Sequence, residues 1–479
     1  MAEKMLKFIA HSKAMPDKRQ ASDRVADFDE IYADFDLEKA EEQASRCSQC
    51  GVPFCQVNCP LHNNIPDWLM LTAENRLQEA YELSSATNTF PEICGRICPQ
   101  DRLCEGNCVI EKGFESVTIG AVEKYVTETA FDEGWVEPIK VNAEREQSVG
   151  IIGAGPAGLA AADLLRRKGY QVVVYDRYDR VGGLMVYGIP GFKLEKDIVE
   201  RRAELLEKGG IKFELNCEIG RDITFDGLRE RHNAVLIATG VYKARDIKVP
   251  GIGLQGVVPA LDYLTASNRK SLGDDVAEFD SGMLNAEGKN VVVIGGGDTA
   301  MDCVRTAIRQ EAKSVTCLYR RDRANMPGSQ REVENAEEEG VNFQWLSAPH
   351  ALLGDETVSA VRARRIHLGQ PDETGRQVPQ IIDGSDFDID ADLVVKALGF
   401  DPEDLPSLFE QKDLGVSRWG TVQIDWKTMM TQIPGVFAAG DIVRGASLVV
   451  WGIRDGRDAA EQIDAFIEAE LRGETRQVG

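Results

Sequence analysis

A chain of 479 residues with 43% hydrophobic and 28% charged content is too long for one ordinary domain and sets an expectation of two or three. Its formal charge of −24 opposes a nucleic-acid partner or an anionic membrane surface, because both reward basic patches with released counterions. No run of about 18 apolar residues, the length a membrane-spanning helix needs, occurs, and Met1 to Lys13 lack the apolar stretch of a signal peptide; the expectation is a cytoplasmic protein with no membrane partner.

The opening third is polar, with short apolar runs at helical spacing such as Trp68, Leu69, Leu71, Leu77, Ala80 and Tyr81, and reads as mainly α-helical. Eight of the 11 cysteines lie between Cys47 and Cys108, leaving only Cys217, Cys303 and Cys317 elsewhere. In a reducing cytosol such a concentration speaks for metal or redox chemistry rather than disulfides. The run is Cys47-x2-Cys50-x4-Cys55-x3-Cys59-Pro60, then Cys94-x3-Cys98-Pro99 and Cys104-x3-Cys108, enough thiolates for two sets of four. Soft sulfur ligands suit a [4Fe–4S] cube or a zinc ion. Zinc modules usually present paired C-x2-C hooks, whereas one C-x2-C followed by wider spacings ending in Cys-Pro is closer to a two-cluster ferredoxin run. In such runs the last cysteine of the close-set group often serves the other cube, which assigns Cys47, Cys50, Cys55 and Cys108 to one centre and Cys59, Cys94, Cys98 and Cys104 to the other.

At Gln147 the texture changes. Ser148 to Ile152 reads as a buried strand that enters Gly153-Ala154-Gly155-Pro156-Ala157-Gly158 and then an alanine- and leucine-rich helix, the G-x-G-x-x-G arrangement that turns the chain, admits a pyrophosphate and lets helix and strand pack closely. Asp176 ends the next strand, Val172 to Tyr175; a carboxylate there accepts hydrogen bonds from ribose hydroxyls and repels a 2′-phosphate, as suits FAD or NAD. The same unit recurs as strand Asn290 to Ile294 and turn Gly295-Gly296-Gly297-Asp298-Thr299-Ala300. Its following strand, Val315 to Tyr319, ends in Arg320 and Arg321, two guanidinium groups that match a 2′-phosphate and favour NADPH, although Asp322 stands beside them. Strands Ala234 to Ile237 and Leu393 to Val395 each run into a small-residue turn, so the fold class expected is α/β, with two Rossmann-like dinucleotide-binding domains behind a helical cysteine domain.

Arg180-Val181-Gly182-Gly183-Leu184 and Pro434 to Gly440-Asp441 resemble signatures of the two-dinucleotide-domain flavoprotein reductases. That resemblance implies FAD at the first turn, with Gly183 and Leu184 beside it, Asp441 on the ribityl chain, and a helix starting near Ser447 or Leu448 whose positive end faces the flavin. The plainer reading makes Asp441 a turn residue before a core strand. A flavin takes a hydride and releases electrons singly, as clusters require, so no catalytic side chain is nominated. Disulfide reduction is disfavoured, because the only C-x2-C lies in the N-terminal run and Cys303 and Cys317 are not so spaced; nor does Ala2, after Met1, offer an N-terminal cysteine nucleophile.

The ordered set from Cys47-Ser48-Gln49-Cys50-Gly51-Val52-Pro53-Phe54-Cys55 through both glycine turns to Gly440-Asp441 resembles the small (β) subunits of bacterial NADPH-dependent glutamate synthase. Kindred chains are the electron-input half of dihydropyrimidine dehydrogenase, which by the resemblance uses a glutamine in place of Cys94, and the large subunit of NADH-dependent ferredoxin:NADP oxidoreductase. The resemblance implies electron flow from NADPH through FAD and two [4Fe–4S] clusters to a large (α) subunit that carries FMN and a glutaminase and forms L-glutamate from L-glutamine and 2-oxoglutarate. It implies a hetero-oligomer with the clusters at the subunit interface. A competing class is a non-catalytic redox sensor or assembly module. The domains expected are 1–145 for the clusters, 146–265 with 425–479 for FAD, and 266–424 for NADPH.

Overall fold

The computed structural model describes residues 4–372 and 377–474. The first 145 residues hold helices and no named strand among the described residues. Helix Leu37–Ser45 begins at Asp36, whose carboxylate accepts the Lys39 N–H at 2.8 Å, and helices Ile65–Ala73 and Pro91–Ile97 each start with a proline in the first turn, where its missing N–H is no loss. With Leu77–Thr87 and Ile119–Asp132 they enclose a core of Trp68, Leu69, Ala80, Val122 and Val126.

Fifteen strands follow among the described residues. In chain order they are β1 Ser148–Ile152, β2 Gln171–Tyr175, β3 Lys212–Glu214, β4 Ala234–Ile237, β5 Lys243–Ala244, β6 Val257–Pro259, β7 Asn290–Ile294 and β8 Ser314–Leu318. Then come β9 Asn342–Gln344, β10 Ser347–Gly354, β11 Val358–Pro371, β12 Gln377–Asp390, β13 Leu393–Lys396, β14 Phe400–Asp401 and β15 Val436–Ala438. Two five-stranded sheets, β15-β4-β1-β2-β3 and β6-β13-β7-β8-β9, are parallel throughout. Their central strands are buried on both faces, which is why they read as nearly unbroken Val and Ile.

One face of the first sheet is covered by helices Pro156–Arg167 and Val449–Leu471, the other by Leu405, Phe409, Leu414 and Val422. The second sheet carries helix Asp298–Arg309 on one face and, on the other, an antiparallel sheet β10-β11-β12 whose Leu352, Val361 and Ala363 meet Val292 and Leu318. The sequence reading placed no separate sheet there. It also divided the chain at 265/266 and 424/425, whereas β6 already pairs with β13 and residues from Leu405 onward pack on the first sheet. Hydrogen bonding thus changes sheet earlier than those points, across the short β5–β14 ribbon, whose two-residue strands leave no periodic signal. The fold class is the expected one. No helix among the described residues is long and apolar enough to cross a membrane.

Candidate functional site

At the first turn the three glycines do different work. Gly153 has φ +111°, and a Cβ there would stand 2.3 Å from the Ala238 carbonyl oxygen; a Cβ on Gly158 would stand 2.0 Å from the Gly153 carbonyl oxygen. A Cβ on Gly155 would meet nothing within 4 Å, so this residue faces open space at the start of helix Pro156–Arg167. That is the cradle a pyrophosphate needs: two positions closed by packing, one left open beside backbone N–H groups.

Asp176 stands at the end of β2, buried, its Oδ2 accepting the Ala154 N–H at 2.6 Å and its Oδ1 the Tyr178 N–H at 2.9 Å; burial raises the carboxyl above its ordinary range against those two bonds. The Gly182 N–H donates to Ala154 at 2.9 Å and Gly183 lies against Gly155, so Leu184 reaches the turn. From the far end of the chain comes Gly440, with φ +78°, then Asp441, which accepts the Ser447 hydroxyl at 2.5 Å and which burial also pushes up. Asp441 opens a four-residue helix rather than a core strand. Leu448 caps helix Val449–Leu471, and Gly456 of that helix presses so near Ala157 that a Cβ would stand 2.1 Å from its carbonyl oxygen.

The second turn repeats the pattern. Gly295 is closed by the Ala397 carbonyl oxygen, 2.2 Å from a would-be Cβ, Gly297 is open, and Ala300 is fully buried. Asp298 and Thr299 begin helix Asp298–Arg309. Beyond β8, Arg320 is exposed and Arg321 half-buried, with its Nε buried and without a hydrogen-bond partner. Asp322 accepts the Asn325 N–H at 2.9 Å and the Asn325 side-chain amide at 2.7 Å.

Both turns open into one cavity of about 340 Å³. Gly153, Gly155, Asp176, Leu184, Asp441, Ser447 and Leu448 line it from the first unit, Asp298 and Thr299 from the second, and Cys98 and Pro99 from the helical domain. Next to it a smaller cavity is lined by Cys59, Cys94, Cys98 and Cys104. The remaining thiols form their own neighbourhood. Burial pushes Cys55 up to about 12 and Cys47 up to about 11, and each feels Cys108 and Cys50 as well. Burial likewise lifts Cys59 to about 11, with Cys94 adding to the rise. Among the described residues no three Cys, His, Asp or Glu side chains converge on one point that could hold a single ion. Four soft donors around a cavity fit a cluster, and thiols that burial keeps protonated ionise when a metal takes their charge.

Several lining groups carried no local signal in the sequence. Lys193 lines the main cavity and bonds Asp302 at 2.8 Å; Glu332 and Arg305, paired at 2.6 Å, line it too. The one available hint for Asp302 was its place between Met301 and Cys303 in helix Asp298–Arg309, where Arg305 and Arg309 are buried as well. Glu123 lines the cysteine cavity, held by Asn88 and Ser84, and burial pushes its carboxyl up to about 7.

Residues 24–135 match the family described as dihydropyrimidine dehydrogenase domain II, 4Fe-4S cluster, and residues 147–456 match pyridine nucleotide-disulphide oxidoreductase. The glutamate synthase [NADPH] small chain of Azospirillum brasilense is 67% identical over 468 residues, 98% of this chain and 97% of that one. The protein of the same description from Escherichia coli K12 is 44% identical, covering 98% of this chain and 100% of its own. The solved structure of Mycobacterium tuberculosis FprA in complex with NADPH covers 70% of this chain and 88% of its own, with a TM-score of 0.59 at 18% identity, a likeness of fold alone.

Proposed function

Since the chain belongs to the family of glutamate synthase [NADPH] small chains, whose dinucleotide region is a pyridine nucleotide-disulphide oxidoreductase, we propose that it is the NADPH-oxidising electron-input subunit of such an enzyme. In this reading FAD sits at the first turn, NADPH at the second, and two [4Fe–4S] clusters among the eight cysteines. The acceptor is a large, FMN-containing subunit with a glutaminase, which forms L-glutamate from L-glutamine and 2-oxoglutarate in the cytoplasm.

The observation that carries the proposal is the shared cavity: both glycine turns and Cys98 line the same space, so a hydride donor, a flavin and a cluster would be neighbours without any intervening protein layer. Bound FAD supplies the exchange of a hydride for single electrons. The chain's own groups bind and orient. Gly155 and Gly297 leave their backbone N–H groups open to pyrophosphates, Asp176 faces a ribose, and Arg320 and Arg321 offer charge-assisted bonds to a 2′-phosphate. Asp441 and Ser447 offer hydrogen bonds to the ribityl chain, and the start of helix Val449–Leu471 presents a positive end to charge on the flavin.

The other thiol neighbourhood supports an exit. Val52, Phe54, Val57 and Val109 are all exposed, each within two residues of one of Cys50, Cys55 or Cys108. An exposed apolar rim beside half-buried redox ligands suits a protein partner.

Anaerobic mixing of the purified chain with NADPH tests this. Flavin bleaching, followed by cluster reduction seen by paramagnetic resonance, is expected, with no glutamate formed from glutamine and 2-oxoglutarate until the large subunit is added. A flavin that NADPH leaves unbleached would point to a non-catalytic redox module, and glutamate made by the isolated chain would end the division of labour.

A further inference from the structure

Asp298 is in an awkward place for a nucleotide site. It follows Gly297 directly, at the helix start where backbone N–H groups would receive pyrophosphate oxygens, and its carboxylate repels a pyrophosphate there. A residue from another domain meets it. The Arg102 Nη2 donates to Asp298 Oδ2 at 3.0 Å, while the Ser329 N–H donates to Oδ1 at 2.9 Å.

Arg102 comes from the loop between Cys98 and Cys104, and its neighbours grip the same place. Its Nη1 also donates to the Pro327 carbonyl. Asp101 accepts the Ser329 hydroxyl at 3.2 Å and the Gln330 N–H at 3.3 Å. Gln100 accepts from Arg331 at 2.8 Å and donates to the Cys94 carbonyl at 3.2 Å. The segment so held lies on the second turn, since the Gly328 N–H donates to the Gly296 carbonyl at 3.1 Å. A guanidinium has five donor hydrogens. Bonds to Pro327 and Asp298 leave some of them free for a ligand.

We propose that Arg102 is a nucleotide-binding residue lent by the cysteine loop: it cancels the Asp298 charge and turns its remaining donors to the pyrophosphate. The inference rests on the reading of the second turn as the NADPH site. It makes nucleotide affinity depend on the loop that carries two of the cluster cysteines, so occupancy of one site and integrity of the other are coupled. A clamp that only docks the helical domain would have no such charge logic.

Calorimetric titration of the full chain, carrying its flavin and clusters, with NADP⁺ and with NAD⁺ decides it. Arg102→Gln is expected to weaken both nucleotides by about tenfold, because the pyrophosphate is common to them. Arg102→Lys keeps the charge and most of the affinity. Asp298→Asn placed in the Arg102→Gln background restores most of what was lost. Arg320→Ala with Arg321→Ala, by contrast, weakens NADP⁺ and spares NAD⁺. Unchanged visible absorbance of flavin and clusters shows that each variant is folded. Parent-like binding of both nucleotides by Arg102→Gln would overturn the proposal, as would an Asp298→Asn change that restores nothing. A parent chain that binds no NADP⁺ would remove the reading of the second turn itself, and this inference with it.

Discussion

Lys193 and Asp302 form an ion pair of 2.8 Å inside the main cavity, across the seam between the two parallel-sheet units. Burial pushes the Asp302 carboxyl up to about 6 even though Lys193 pulls it down, while Asp302 and Glu332 more than offset the burial that would lower Lys193. Removing one partner leaves the other charge buried, which costs about 3–5 kcal/mol. Lys193→Met and Asp302→Asn are each expected to lower the thermal midpoint of the flavin-loaded protein. The double change Lys193→Met with Asp302→Leu should melt above either single variant, and simple addition of the two losses would show that the groups are not coupled.

A second charged knot joins the helical domain to the second unit. Glu339, fully buried, accepts from Arg24 at 2.8 Å, from Arg305 at 2.8 and 2.9 Å, and from Arg309 at 2.8 Å. Burial would raise its carboxyl, but the guanidinium groups hold it down at about 2, and Arg305 and Lys193 do the same for Glu332. Both folded values lie below the ordinary value of 4.5, so the unfolded chain takes up protons first as pH falls. The stability these groups contribute is therefore complete above about 4.5 and drains away towards about 2. Glu339→Gln should flatten the pH dependence of urea unfolding over that window and lower stability at neutral pH by about 3–5 kcal/mol.

The open and closed glycines predict opposite failures. Gly297 has φ −91° and ψ 179°, ordinary extended backbone, and free space where a side chain would go. Gly297→Val should fold and retain flavin, yet show a Michaelis constant for NADPH raised by at least about tenfold. Gly153→Ala, at φ +111° and against the Ala238 carbonyl, should lose flavin and soluble yield together. Flavin content per chain after purification separates the two results.

If the eight thiols serve two cubes, the parent holds about eight irons per chain. Cys55→Ser and Cys98→Ser should each halve that and abolish a different paramagnetic signal after reduction. Loss of the same signal in both variants would sink the division into Cys47, Cys50, Cys55, Cys108 and Cys59, Cys94, Cys98, Cys104.

What could be read from the sequence was chemistry written in short spans. Gly153 to Gly158 and Gly295 to Ala300 are local motifs whose packing is decided by the strand and helix they join, and the cysteine spacing carries its own geometry. Val149 and Val291 announce buried parallel strands because both faces of each sheet are covered. The β10-β11-β12 sheet stayed hidden: β12 is largely exposed and alternates without a strong apolar face, so its pattern resembles a solvated loop. Lys193 with Asp302 and Arg102 with Asp298 are separated by 109 and 196 positions, and such pairs exist only once the domains have docked.

The proposed seat for the first dinucleotide is assembled from two distant stretches of chain. β15 supplies the edge of the first sheet, and Gly456 sets the long helix onto Ala157, roughly three hundred positions after the turn they complete. A nascent polypeptide halted on the ribosome before Val436 would lack one wall of that seat. If flavin sits there, its insertion is a late step of biogenesis, after the second unit has already been synthesised, and C-terminal truncations should accumulate without bound flavin.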